Sequence, residues 1–550
     1  MTIPVISVFD TKDVMAKYNY QSMRFLIVDN VKPSQDILKQ YVMRLTGKQV
    51  ESTHYAQDVA TICQLKTYDV ILLGYDLGEN QKNGQQILEE LRVNRYINRQ
   101  CIVILITAEV SQAMVLAALE HKPDHYLCKP YSLNELDKRL NDCLRKKGTM
   151  ALIYQALDDE IPLQVIKHCK NALATKNPYK AECLGIMSRQ YFNLQQYDKA
   201  KKIYGTYQNS ANCQWATIGL GKVALHEKKL NQAEKLFKLL IKKYPLYLAS
   251  YDWLAITYEE QFHYLFAEDI LEQALLLSPR SLTRLQKYAH LCIHNEHYDK
   301  ATLAYEKNFK LAHNSIHHCA DNTIKYVQAL IEYSPSLSPV DAKKINTKAF
   351  TFMKQMTRDF RDADIKIQSH LLSACLLEIT RENDLAKSEF ELGEILLTRE
   401  QANIPAEKLI DISITLKKLN KNNLASQILQ ISDEQESEAS NAGEQNNLAK
   451  TLKDRAQADI ELALSYYGQQ KYQQAISKLQ KAAVSFPKHS AIKLNLIQIL
   501  LISYEKGDRK TTELYNVKAL LDELHGFTLN ITDEERLKKM QKKYQLIAGI

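Results

Sequence analysis

The chain has 550 residues, with 72 Lys and Arg against 64 Asp and Glu, 45% hydrophobic residues, and only 15 Gly and 12 Pro. That length allows three to four domains with sizeable cores, and the scarcity of Gly and Pro favours helix over loop-rich β architecture. The formal net charge of +8 is small beside the total, and no Lys/Arg cluster stands clear of neighbouring acids, which argues against nucleic acid and membrane as partners.

Residues 1–22 read as an N-terminal extension without the basic start and apolar core of a signal peptide, and no apolar run approaches the ~18–20 residues of a membrane span. The ten cysteines lack CxxC spacing and suit free thiols in a reducing compartment, so a cytoplasmic protein is expected.

From 23 to 147, four short apolar runs read as buried strands: Phe25 to Val28 before Asp29-Asn30, Val70 to Leu73, Cys101 to Ile106 before Thr107-Ala108-Glu109, and Tyr126 to Cys128 before Lys129-Pro130. Helix-length amphipathic stretches near Ser34–Leu45, Gln85–Val93, Ser111–Glu120 and Leu133–Arg145 alternate with them, giving an α/β domain around a doubly wound parallel sheet. Polar residues at the carboxyl ends of such strands share one crevice, so Asp29, Asn30, Gly74, Thr107 and Lys129 should converge.

On Asp29, Thr107-Ala108-Glu109, Tyr126 and Lys129-Pro130 this segment resembles the receiver domain of bacterial response regulators. The resemblance implies a Mg²⁺-holding acidic pair at the first strand end, an aspartate nucleophile at the third, a threonine and lysine that hold phosphoryl oxygens, and a switch aromatic at Tyr126. The second member of the acidic pair is here the neutral Asn30. Counting forward from Tyr68-Asp69 puts the phosphoacceptor position at Gly74, whereas counting back from Gly84 selects Asp76. Receivers fused to helical repeats resemble the longer loop Tyr75-Asp76-Leu77-Gly78, which leaves Gly74 at the acceptor and the receiver without a carboxylate to phosphorylate. Lys129, lacking a phosphoryl anion, is then expected to bond to Asp29 or Asp76.

A second signal is an internal repeat. Ala200, Ala233, Ala267 and Ala301 recur at intervals of 33, 34 and 34 residues, and Pro245 and Pro279 at 34. A 34-residue period of paired helices marks a tetratricopeptide-type α-solenoid. Small residues such as Gly221, Ala233, Ala255 and Ala267 belong where two helices cross closely, with aromatics beside them. The repeat covers 148–314, continues as degenerate helical pairs over 315–431, and returns within 451–550 as one repeat with capping helices. Residues 432–450, rich in Glu, Ser, Gln and Asn, read as an acidic linker or long loop.

Such a solenoid offers a concave groove for a peptide or helix. Its expected lining is Arg189, Phe192, Trp215, Lys222, His226, Asp252, Glu259, Glu260, His290 and His294, with Trp215 and Arg189 as anchors.

No P-loop, Gly-rich nucleotide motif or Ser/His/Asp signature occurs, so neither an enzyme nor a cofactor is expected. The i,i+4 pairs His290/His294 and His313/His317 have no matching ligand set, and no metal is expected beyond Mg²⁺ on Asp29 and Asp76 should Asp76 be the acceptor. The function expected is that of a two-component signalling regulator or adaptor, which binds partner proteins, another signalling enzyme or regulator among them, through the groove. Two alternatives are a phospho-switch using Asp76 with Mg²⁺ and a structural scaffold in which the receiver dimerises.

Overall fold

The computed structural model describes residues 20–46, 50–78, 81–109 and 111–441, and most of 459–548. Most of the N-terminal extension and part of the expected linker therefore lie outside the described residues. The chain forms two compact units, Met1–Tyr333 and Ser334–Ile550.

The first unit begins with five parallel strands: β1 (Phe25–Val28), β2 (Val50–Thr53), β3 (Val70–Gly74), β4 (Ile102–Thr107) and β5 (His125–Cys128), in the order β2-β1-β3-β4-β5. Four of these follow the apolar runs. The fifth, β2, is an edge strand whose Val-Glu-Ser-Thr sequence presents no apolar run.

Helices α1 (Lys32–Thr46), α2 (Asp58–Leu65), α3 (Gly84–Val93), α4 (Gln112–Glu120) and α5 (Leu133–Asp158) alternate with the strands. Because successive strand residues face opposite sides, Leu26, Val28, Ile71, Leu73, Val103 and Leu105 pack with residues of α2 and α3. Phe25, Ile27, Val70, Leu72, Ile102 and Ile104 pack instead with α1 and α5.

Helix α5 runs unbroken for 26 residues through the expected domain boundary at 147/148. The Lys146-Lys147-Gly148-Thr149 stretch contains no proline, and the position of a Gly148 side chain is open space, so nothing there ends the helix.

Paired helices follow: α6 (Pro162–Ala174), α7 (Lys180–Asn193), α8 (Tyr197–Tyr207), α9 (Gln214–His226), α10 (Leu230–Lys243), α11 (Ala249–Glu260), α12 (Tyr264–Leu277), α13 (Leu282–His294), α14 (Tyr298–Ala312) and α15 (Ala320–Tyr333). The turn inside each pair is closed by one left-handed residue, at Glu160, Gln195, Lys228, Phe262 and Glu296, so the backbone repeats at 35, 33, 34 and 34 residues. The small-residue slots are steric: a Cβ on Gly221 would stand 2.3 Å from the buried Phe237 ring, and one on Gly219 2.3 Å from Tyr204.

The second unit has α16 (Pro339–Asp359), α17 (Ala363–Ile379), α18 (Asn383–Glu400), α19 (Ala406–Lys418) and α20 (Asn422–Asn441), then α21 (Tyr472–Ser485), α22 (Ser490–Lys506), α23 (Thr511–Leu524) and α24 (Ile531–Ala548). Helices α16 to α18, at 21, 17 and 18 residues, are longer than those of the regular repeats, so the 34-residue spacing is lost here. A small-residue slot persists nonetheless: a Cβ on Gly393 would stand 3.1 Å from Leu371.

The linker reading is corrected over 432–441, where α20 continues to Asn441. Low apolar content forbids a core there but not a solvated helix, since Glu, Gln and Ala have high helix propensity. Among the described residues no helix is long and apolar enough to cross a membrane.

Candidate functional site

Two places in the first unit gather functional groups. The first is the carboxyl edge of the sheet. Val28 pairs with Leu73, and Gly74, the last residue of β3, pairs with Ile106, so Asp29, Gly74 and Thr107 end adjacent strands.

Asp29 is 2% exposed and its carboxylate accepts three hydrogen bonds. Oδ1 accepts from the Val31 amide at 2.9 Å, while Oδ2 accepts from the Ser34 hydroxyl at 2.7 Å and the Lys129 ammonium at 2.9 Å. Asn30 is exposed. Asp76 lies beyond the strand end, exposed, with Oδ1 accepting from the Gly78 amide at 3.0 Å. Thr107 is buried and its hydroxyl accepts from the Glu109 amide at 3.0 Å. Tyr126 donates to the Glu109 carbonyl at 2.9 Å, and burial pushes its phenol up to about 12.

The crevice is tight around Gly74. A Cβ there would stand 3.0 Å from the Val28 carbonyl oxygen and 3.2 Å from Leu77. Gly84 closes the loop by donating its amide to Tyr75 O at 2.8 Å, and a Cβ on it would lie 2.3 Å from Gly74 O. Tyr75 is 5% exposed, and its hydroxyl accepts from Arg280 at 3.2 Å, which ties the loop after Gly74 to the solenoid. Burial raises the Tyr75 pKa, opposed by the Arg280 charge.

That tie is one of several. Arg284 on α13, its side chain 4% exposed, grips Asp252 of α11 with Nε at 2.8 Å and Nη2 at 3.0 Å, and donates to Glu120 at the end of α4 at 3.1 Å. Glu89 of α3 meets His317 at 2.8 Å and His121 at 3.8 Å. Gln86 uses its Oε1 in the capping box of α3 and its Nε2 to reach the Leu311 carbonyl at 3.1 Å. Arg92 donates to the carbonyls of His121 and Lys122, at 2.7 and 2.6 Å, and thereby fixes the α4 end that carries Glu120. Arg99 pairs with Asp158 at 3.0 Å, and Arg95 with Glu160.

The second place is the inner face of α7, α9 and α11. A cleft of about 310 Å³ is lined by Phe192, Lys222, Leu225, His226, Lys228, Trp253, Ile256 and Glu260. The Lys222 ammonium sits 4.7 Å from the Phe192 centroid and 4.7 Å from that of Trp253. Its pKa is lowered by burial and by the Arg189 charge. Phe192 lies edge-on to His226 at 5.2 Å, and Lys228 pairs with Glu260 at 2.7 Å.

The structure thus divides the expected groove residues. Phe192, Lys222, His226 and Glu260 line the cleft, and Asp252 is held by Arg284. Glu259 is half-buried, and burial raises its pKa. Arg189 and His290 are exposed, and His294 stacks on Tyr264 at 3.9 Å.

Trp215, the expected groove anchor, is half-buried and is not among the residues that line this cleft. Its indole packs on Gly185, where a Cβ would come within 3.3 Å, and stacks on Tyr207 at 6.1 Å. The absent Cβ of Gly185 makes the hole that the indole fills. The cleft tryptophan is Trp253, which the repeat-position rule passes over although it directly follows Asp252. Of the expected metal-spaced pairs, His317 is spent on Glu89, and His313 meets His318 edge to face at 5.1 Å.

Residues 25–141 match the model of the response regulator receiver domain, and residues 457–489 match that of a tetratricopeptide repeat. The chain carries a receiver domain followed by a helical run with tetratricopeptide repeat character, the combination of a signalling regulator or adaptor.

Similar solved structures include a MamA RS-1 ArsTM double mutant (17% identity, 30% of this chain and 94% of that one, TM-score 0.26). Another is a two-component response regulator from Clostridium difficile (22% identity, 22% and 97%, TM-score 0.20). A third is the C-terminal part of a tetratricopeptide repeat-containing protein from Cytophaga hutchinsonii (16% identity, 44% and 93%, TM-score 0.34).

Proposed function

We propose that this protein is a signalling adaptor whose receiver is held in one state without phosphorylation and whose solenoid captures a partner protein on its concave face. The observation that carries the reading is the pairing of a third strand ending in Gly74 with an Asp29 carboxylate already taken by Lys129, Ser34 and the Val31 amide.

Phosphoryl transfer needs a carboxylate nucleophile at that strand end and a hard cation on free oxygens. Asp29 already accepts three hydrogen bonds and is paired with Lys129, Asn30 is neutral, and Asp76 lies exposed beyond the strand end with one oxygen on the Gly78 amide. The donor set therefore fits Mg²⁺ poorly, and no phosphorylation step is derived for this chain. The lysine that would neutralise an acyl phosphate instead closes the site. Both domain types work by contact, so the reading has no catalytic step, and the ten free cysteines accord with a cytoplasmic setting.

The test is intact-mass measurement after incubation with Mg²⁺ and a small-molecule acyl phosphate. No added phosphoryl group is expected. A stoichiometric adduct lost in Asp76→Asn would replace this reading with the Asp76 phospho-switch.

For the concave face, Trp253→Ala combined with Phe192→Ala should abolish capture of the cellular partner while circular dichroism stays unchanged. Undiminished capture would move recognition elsewhere.

A further inference from the structure

We infer that the cleft between α7, α9 and α11 reads an internal acidic side chain of an extended partner segment, with Lys222 as the receiving cation and flanking apolar side chains seated on Phe192 and Leu225 to one side and on Trp253 and Ile256 to the other. This rests on the concave-face reading above and gives its occupant a chemistry.

The argument begins with Lys222. It is half-buried, and among the described residues no carboxylate, carbonyl or hydroxyl lies within bonding distance of its ammonium. Its neighbours are the faces of two aromatic rings, each 4.7 Å from Nζ. Ring faces hold a cation in place by their quadrupoles but offer no lone-pair acceptor, so its N–H donors are left to water in the open cleft.

Elsewhere in the same unit, several partly or fully buried ammonium groups have an acid partner. Lys129 has Asp29, Lys147 has Asp124, and Lys201 has Glu227. The nearest acid along the cleft, Glu260, is taken by Lys228. Burial and the Arg189 charge both work against the protonated form of Lys222, and the charge of an incoming carboxylate would offset them.

An internal acid is favoured over a chain terminus by the layout of the walls. Apolar surface lies on both sides of the ammonium, so a chain that continues past the acid covers both, whereas a terminal carboxylate would leave one side wet. The charge balance agrees: with Lys228 paired to Glu260, the Lys222 ammonium remains in the cleft with the Arg189 charge nearby, which favours an anionic occupant.

The test is selection of N-acetylated, C-amidated hexapeptides from a random library on the full chain, with hits measured by calorimetry. Selected peptides should share one Asp or Glu flanked by apolar residues. Changing that acid to its amide should weaken binding about tenfold, as should Lys222→Met, while the two changes together should cost little more than either alone. Lys222→Arg, which keeps the charge, should retain binding.

Hits without an acid, or acid-bearing hits bound equally by Lys222→Met, would overturn the inference. So would binding that requires a free C-terminal carboxylate. Each of these leaves the concave-face reading standing if the hits still fail on Trp253→Ala; hits that bind Trp253→Ala normally would sink both.

Discussion

Lys129 and Lys222 are ammonium groups at comparable depth in one compact unit, and the structure treats them in opposite ways. Lys129 is bound to a buried carboxylate that also accepts from a hydroxyl and an amide. Lys222 is held only by ring faces in an open cleft. The difference teaches that one unit uses its partly buried ammonium groups in two ways. At the carboxyl edge the strand-end charges meet one another, and the loop beside them ties Tyr75 to Arg280 and the α3–α4 edge to the solenoid.

The largest expected effect comes from breaking the carboxyl edge. In Gly84→Ala the new methyl would lie 2.3 Å from Gly74 O, and backbone on both sides must move to relieve it. Overpacking of this kind costs typically 1–3 kcal/mol, and with backbone as the obstacle a loss of about 3 kcal/mol is expected in denaturant unfolding. A loss below about 0.5 kcal/mol would mean that the crevice is looser than its geometry.

Next in size is the joint between the domains. Arg284→Ala leaves Asp252 and Glu120 facing each other without their shared cation. Complete burial would make that cost about 3–5 kcal/mol, but the two acids are 35% and 23% exposed, so about 2 kcal/mol is expected. Backbone amides of α4 should exchange faster with solvent deuterium while those of β1 and β3 do not. Equal protection in variant and parent would show that the remaining contacts alone hold the joint. Arg284→Lys should fall between, since one ammonium cannot reproduce the fork.

How much of this was legible depended on the range over which a residue's partner lies. The strand ends could be read because each apolar run stops at its functional residue, as at Val28-Asp29 and Ile106-Thr107. The reading that placed Gly74 rather than Asp76 at the acceptor rested on loop pattern alone, since sequence does not show where pairing stops; in the structure the β3–β4 pairing runs to Gly74, opposite Ile106. The repeat was legible because Gly221 needs its small side chain beside Phe237, a contact made within one repeat.

The packing of Trp215 on Gly185, one repeat away, is invisible to a rule based on helix position. The Arg284–Glu120 contact spans 164 residues and leaves no local pattern at all. β2 was missed because an edge strand need not be apolar.

The smallest expected effect sharpens the comparison at the same joint. His121 lies at the end of α4, near Glu89 and Glu120, and faces His317 and Arg92. Burial lowers its pKa below the ordinary 6.5, opposed by the two glutamates. A histidine whose folded value is depressed binds its proton more readily when unfolded. Its neutral form is therefore fully compatible with the fold above pH 6.5, and stability is lost as pH falls below that value.

In His121→Gln that contribution disappears. The drop in thermal midpoint between about pH 7.5 and about pH 5.5 should then be smaller than in the parent, by an amount equivalent to less than about 1 kcal/mol. His125, also depressed by burial, remains in both proteins and cancels from the difference. A variant that loses more than the parent on acidification would show that the proton is accommodated at the joint, for instance by Glu89, whose carboxylate lies 3.8 Å from the ring. In that case acid would tighten the contact between receiver and solenoid, and His121→Gln would exchange α4 amides faster than the parent at pH near 5.5 rather than more slowly.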